Sequence, residues 1–391
     1  MPHIPHPQPL PTQGEGRCSI RSTREMTPKS AIRAEAETLF AAFQAAGAVP
    51  VEADVLLPAG ALLDLYGEDI RARAYVTQDP LRGEMMLRPD FTLPVVQAHM
   101  SHGADPARYT YLGEVFRKQD HPGLRASEYL QVGFEIFDRQ SPEAADAEVF
   151  ALFATLLAPL NLTPATGDIG ILLAAIRALN TTDGRKAALL RHVWRPQRFR
   201  DLLARFSGRT AQPEARKALL DRLKSASPEA LLAAAGPLTG LRSGAEITAR
   251  ARALLDDAGA TPIAASEVAV LDRLLALEAP AEQALADLRD IARAMPTIGS
   301  AVDRFEIRLD ALSTRGVDVK TLPFEASHGQ STLEYYDGFV FSFHSADPAL
   351  PPVASGGRYD ALTAVLGQGR SIPAVGGIIR PGMVAALKGA A

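Results

Sequence analysis

The stretch GEVFRKQDHPGLRASEYLQVGFEIF, residues 113–137, contains two runs of strand character around a polar loop. In the second run Gln131, Gly133 and Glu135 fall on one side and Leu130, Val132, Phe134 and Ile136 on the other. That is the period of two expected of a strand whose apolar side meets a core. A glycine between an amide and a carboxylate leaves space beside two hydrogen-bonding groups. The pattern suits a small ligand lying on the sheet, and it equally suits a sheet face open to water.

Working outward, RAYVTQ, MMLRPDF, RYTYLGEVFRK, EYLQVGFEIFD and TGDIGIL read as strands, with helices at LPVVQAHMS and PEAADAEVFALFATLLAPLN. Adjacent strands joined by short turns predict an α+β fold with an antiparallel sheet rather than a βαβ alternation. Residues 1–25, rich in proline and polar side chains without periodicity, read as a disordered extension. Met26 precedes TPKSAIRAEAETLFAAFQAAG, where Thr27 can cap, Pro28 suits the first turn and Gly47 can stop a helix. Met26 is therefore a candidate native start. Residues 26–175 and 313–391 are expected to form the core, and 176–312 an inserted helical subdomain. The stripes Val268, Leu271, Leu274, Leu275 and Leu285, Leu288, Ile291, Met295 are expected to form that subdomain's own core.

After residue 313 strand character returns in VDVKTLPFEA and LEYYDGFVFSFHS. Phe339, Phe341 and Phe343 share one face of the second; Glu334, Tyr336, Gly338 and Val340 share the other. Tyr336 beside a glycine repeats the pattern of residues 131–135, and two such strands in one sheet would share a polar pocket.

With 391 residues, 47% hydrophobic and 22% charged, the chain can bury a large core unaided. A net charge of −4 gives no global attraction to nucleic acid, and no local basic patch with interleaved aromatics is evident. Cys18 is the only cysteine, which excludes an intrachain disulfide framework and fits a reducing cytoplasm. No apolar run approaches the roughly 20 residues that span a bilayer, and the amino terminus lacks the apolar segment of a secretory signal.

LGQGRS, residues 366–371, lacks the lysine of a phosphate loop and follows a helical pattern, so it reads as a turn. His99 and His102 lack a third metal ligand, and His121, His192, His328 and His344 are scattered. Gly356 and Gly357 allow close backbone approach. Arg88, Arg117 and Arg125 border the singled-out strands and could bind a carboxylate or phosphate, or form surface ion pairs.

Taken in order, LRPDFT (87–92), FRKQ (116–119), EYLQVGFEIFD (128–138), LEYYDGFVF (333–341) and GGRYDAL with PAVGGI (356–378) resemble the catalytic core of class II histidyl-tRNA synthetases. The resemblance covers roughly residues 45–170 and 315–385. It implies a class II aminoacyl-tRNA synthetase-like antiparallel sheet flanked by helices, a homodimer, and histidine on the polar sheet face. Asp90, Thr92 and Gln131 would hold the α-ammonium, and Glu135 and Tyr336 the two imidazole nitrogens, with Gly133 leaving room. Arg117 and Tyr335 complete the implied ligand-binding set.

The catalytic equipment departs from that family. Gln119 stands where an acid for ATP is expected, Ser331 where an arginine promotes adenylate formation, and Met383 where an arginine meets the phosphates. The chain ends near residue 391, without room for an anticodon-binding domain. A synthetase core with a histidine pocket but without these groups resembles the regulatory subunits of ATP phosphoribosyltransferase. This second resemblance implies a cytoplasmic hetero-octamer with a short catalytic subunit, no catalysis or cofactor of its own, and feedback inhibition by histidine. A truncated synthetase-like ligase that activates histidine is the alternative; a nucleic-acid-binding module is disfavoured.

Overall fold

The computed structural model describes residues 27–60, 71–119, 126–330 and 335–390. Its strands are β1 (Val49–Pro50), β2 (Leu56–Pro58), β3 (Val76–Asp79), β4 (Gly83–Leu87), β5 (Ala107–Phe116), β6 (Glu128–Phe137), β7 (Thr163–Asp168), β8 (Glu278–Pro280), β9 (Pro323–Glu325), β10 (Phe339–His344), β11 (Ala354–Arg358) and β12 (Ala374–Ile379). Nine of them form one sheet in the order β1-β5-β6-β12-β11-β10-β7-β9-β8; a small second sheet has the order β2-β4-β3. From β5 to β7 every neighbour pair runs antiparallel, and the pairs β1–β5 and β7–β9 are parallel. The expected α+β architecture, an antiparallel centre flanked by helices, is what forms.

The alternation in β6 sets which face is dry. Val132, Phe134 and Ile136 are fully buried. Phe134 stacks on Phe43 of the helix Lys29–Ala45, which in turn stacks on Phe153 of the helix Pro142–Leu157. Phe339, Phe341 and Phe343 of β10 meet Phe150 on the same side of the sheet. The opposite face, carrying Gln131 and Ser342, is left for polar work.

Between β7 and β9 the chain is helical apart from β8. The stripes through Val268, Leu271, Leu274, Leu288, Ile291 and Met295 are buried, with Leu275 and Leu285 partly buried against them, in one cluster continuous with Val132 and Phe134 of the sheet. A buried ion network reinforces the seam. Asp146, fully buried, accepts Arg308 Nε at 2.9 Å and Arg358 Nη2 at 2.7 Å, and Arg308 Nη2 reaches Asp168 at 2.8 Å. Each charge thus has an opposite partner where water cannot serve.

Several local expectations are corrected. TGDIGIL is half strand and half helix: Asp168 accepts the Gly170 amide at 2.9 Å and starts the helix Ile169–Ala178. Pro28, not Thr27, is the residue before the first helix, and no side chain caps it. VDVKTLPFEA is strand only over Pro323–Glu325. Strand β10 begins at Phe339, so Tyr336 precedes it. By contrast Ser227 caps the helix Pro228–Ala234 through the Ala230 amide at 3.2 Å, as its sequence suggests. Residues 366–371 form a turn with Gln368 and Gly369 at positive φ. The extension 1–25 with Met26, the loop residues His121 and Arg125, and Ser331 and Glu334 lie outside the described residues. Among the described residues no helix is long and apolar enough to cross a membrane.

Candidate functional site

The polar sheet face floors a cleft of about 820 Å³. Six of the seven predicted residues line it: Asp90, Thr92, Arg117, Gln131, Tyr335 and Tyr336. Asp90 and Thr92 stand at the start of the helix Thr92–His102, where the Thr92 amide donates to Asp90 Oδ1 at 3.2 Å. Arg117 follows β5 directly; its Nε donates to the Pro89 carbonyl at 2.8 Å, which holds Nη2 3.8 Å from Asp90 Oδ2. Tyr335 donates to Thr92 Oγ1 at 3.3 Å and meets Tyr336 edge to face at 5.0 Å. Burial raises the pKa of both phenols, with the Asp90 and Glu135 charges adding, so they remain neutral donors.

Gln131 is 1% exposed, and its Oε1 has no hydrogen-bond partner among the described residues. A buried amide oxygen without a donor is costly and uncommon, and here it belongs to a residue that lines the cleft.

Glu135, the seventh residue, lies beneath the wall rather than on it. Its Oε1 accepts from Tyr111 at 2.9 Å and from Thr92 at 3.4 Å, and its Oε2 from Tyr359 at 2.6 Å. Burial pushes its carboxyl up to about 7; the Tyr359, Tyr111 and Thr92 hydrogen bonds oppose this and the Asp90 charge adds to it. The expected direct contact of Glu135 with a ligand ring is therefore not prepared in this arrangement, because the tyrosines already occupy its oxygens.

The room expected over Gly133 is also taken. Tyr111 pairs with Gly133 across β5 and β6, and a Cβ on Gly133 would lie 2.0 Å from the Tyr111 ring. Likewise a Cβ on Gly376, opposite Glu135 in β12, would lie 1.4 Å from Glu135 Oε2. The glycines let neighbouring strands lay large polar side chains flat on the sheet. Sequence reasoning missed Tyr111 and Tyr359; the alternation in RYTYLGEV was the available signal for Tyr111.

A second polar group lines the cleft. Ser342 Oγ lies 3.0 Å from His328 Nε2 and 2.7 Å from His344 Nε2. Burial lowers both imidazole pKa values, so the trio is uncharged at neutral pH. The period of two could have linked Ser342 with His344, but His328 arrives from a distant loop.

The cations divide. Arg88 is withdrawn from the cleft: Nε donates to the Glu114 carbonyl at 2.7 Å, Nη1 to that of Ala53, and the guanidinium stacks on Phe91. Met383 lines the cleft, and Arg380 lines it while donating to the Pro352 carbonyl at 2.7 Å. Gln119 donates its amide to the Arg117 carbonyl at 3.0 Å. Among the described residues no group of three or more His, Cys, Asp or Glu could hold a metal ion.

The family model described as histidyl-tRNA synthetase matches residues 22–261 and 245–381. An ATP phosphoribosyltransferase regulatory subunit of Allorhizobium ampelinum is 33% identical over 353 residues, covering 85% of this chain and 92% of that protein. One from Brucella ovis is 32% identical over 342 residues, covering 83% and 89%. A crystal structure described as an ATP phosphoribosyltransferase regulatory subunit/histidyl-tRNA synthetase from Bacillus halodurans superposes with a TM-score of 0.64 at 18% identity, covering 97% of this chain and 84% of that one. A histidine–tRNA ligase subunit from Alicyclobacillus acidocaldarius gives 0.56 at 21%, over 99% and 98%. The two structures agree on the fold, and the two sequence relatives span nearly the whole chain: it belongs to the family of ATP phosphoribosyltransferase regulatory subunits.

Proposed function

We propose that this chain is a non-catalytic subunit that binds L-histidine in the cleft and regulates a separate, short-form ATP phosphoribosyltransferase catalytic subunit, which needs it for activity. The observation that carries the histidine reading is Gln131, buried and unpartnered at Oε1 beside Asp90 and Thr92. An α-ammonium supplies donors to all three, and its positive charge is matched by Asp90. Tyr336 offers its hydroxyl to an imidazole nitrogen.

The absence of catalysis is supported by the same cleft. Met383 presents a thioether where phosphate charge needs a cation, and Gln119 turns its amide back to the main chain. Loss of the cation that Met383 replaces would alone remove roughly 3 kcal/mol of stabilisation from a phosphoryl transition state. Histidine then acts by linkage: it inhibits the complex only by binding its inactive state more tightly than its active one.

The assembly read from the sequence, a cytoplasmic hetero-octamer built on a homodimer of this chain, is part of the proposal. Val49 on the edge strand β1 and Val55 nearby are 59% and 43% exposed, which supports a second copy covering that edge. The test is calorimetry with L-histidine alongside histidine-dependent pyrophosphate exchange into ATP. The expected result is saturable binding without exchange. Exchange would favour a histidine-activating ligase, and no binding would remove the sensor role.

A further inference from the structure

Between residues 185 and 224 twelve lysines and arginines stand against three acids, while the rest of the chain carries 42 acids against 29 bases. The whole-chain charge of −4 conceals this division. The basic stretch forms three helices, Asp183–His192, Pro196–Phe206 and Glu214–Ser225. Arg185 Nε and Arg216 Nη2 share Asp257 at 2.6 Å and 2.5 Å. Arg205 has its pKa lowered by burial and by the charges of Arg216, Arg198 and Arg185, with Asp257 opposing. Two guanidiniums thus share one carboxylate whose charge also reaches Arg205, and the buried Nε atoms of Arg205 and Arg216 have no hydrogen-bond partner among the described residues. Arg198, Arg200 and Lys217 are exposed. Positive charge on the stretch, these exposed side chains included, exceeds what its three acids can balance.

We propose that this arginine-rich face is the docking surface for an acidic protein face and, resting on the function proposed above, that the face belongs to the catalytic subunit. Arginine suits carboxylates because its planar fork donates two parallel hydrogen bonds. Nucleic acid is the other polyanion such a face could attract, and three observations favour protein. Phe199 and Phe206 are 0% and 3% exposed and Trp194 packs against the core, so these rings offer no platform for base stacking. Leu219 is 42% exposed on the helix Glu214–Ser225, an apolar contact that a protein partner can bury. Each helix is only ten to twelve residues long, a footprint that suits a local protein contact.

The test uses the full chain and the purified catalytic subunit of the same organism, with affinity measured by calorimetry at low and physiological salt. Charge reversal at Arg198→Glu, Arg200→Glu and Lys217→Glu is expected to weaken association on the order of 30-fold or more and to flatten its salt dependence. The glutamine versions of the three changes, with circular dichroism as a folding control, should show a smaller loss in the same direction. Wild-type binding that the folded variants leave unchanged would overturn the docking surface and leave the regulatory reading intact. No binding by the wild type would overturn both. An RNA hairpin bound through these three residues at physiological salt, with subunit binding untouched, would replace the acidic protein as occupant.

Discussion

Gln131 keeps an amide oxygen dry and unsatisfied, a state that costs roughly 1–3 kcal/mol unless a ligand brings the donor. Replacing it should therefore separate binding from folding. Gln131→Leu is expected to weaken histidine binding about tenfold or more while leaving thermal stability equal or higher; unchanged affinity by calorimetry would take Gln131 out of the site. Glu135 tests the electrostatics. Its folded value of about 7 lies above the ordinary 4.5, so the folded state holds the proton more tightly. That stabilisation is complete below pH 4.5 and is lost as pH rises towards 7. Denaturant stability measured across this window should show the wild type losing ground to Glu135→Gln as pH rises; parallel curves would contradict the buried, tyrosine-held carboxyl.

At the scale of elements, the alternation in β6 was legible because a period of two is local, and so were the caps at Ser227 and the turn at residues 366–371. What filled the gap over Gly133 was not legible, because the pairing of Gly133 with Tyr111 depends on register between strands joined by a loop. The clamp of Glu135 by Tyr359 likewise spans 224 residues of sequence. Six of the seven named residues line one cleft because they sit in short motifs that the fold brings to the polar face, while Glu135 lies beneath them. The register makes its own prediction. Gly133→Ala should cost about 1–3 kcal/mol by overpacking, and Tyr111→Ala in the same chain should recover part of it, a coupling that a double-mutant cycle reads. Full additivity would mean that the two residues are not stacked. The buried network is expected to be less forgiving: Arg308→Met leaves Asp146 and Asp168 short of a partner, and urea denaturation should report a loss of about 3–5 kcal/mol.

Over the whole molecule, one continuous core ties the helical run between β7 and β9 to the dry face of the sheet, while the cleft occupies the polar face. On the proposed function, ligand and partner would act on this one body, histidine at the cleft and the partner at the helical run. The charge division follows the same plan, with acids at the base of the cleft and arginines gathered on three helices. On the function proposed above, the chain activates a catalytic partner and makes it answer to histidine. The most direct test of that reading is to mix the chain with the short-form catalytic subunit and measure phosphoribosyl-ATP formation with and without L-histidine. Strong stimulation by the chain is expected, with inhibition by histidine that Gln131→Leu relieves. No stimulation, or inhibition indifferent to Gln131, would contradict it.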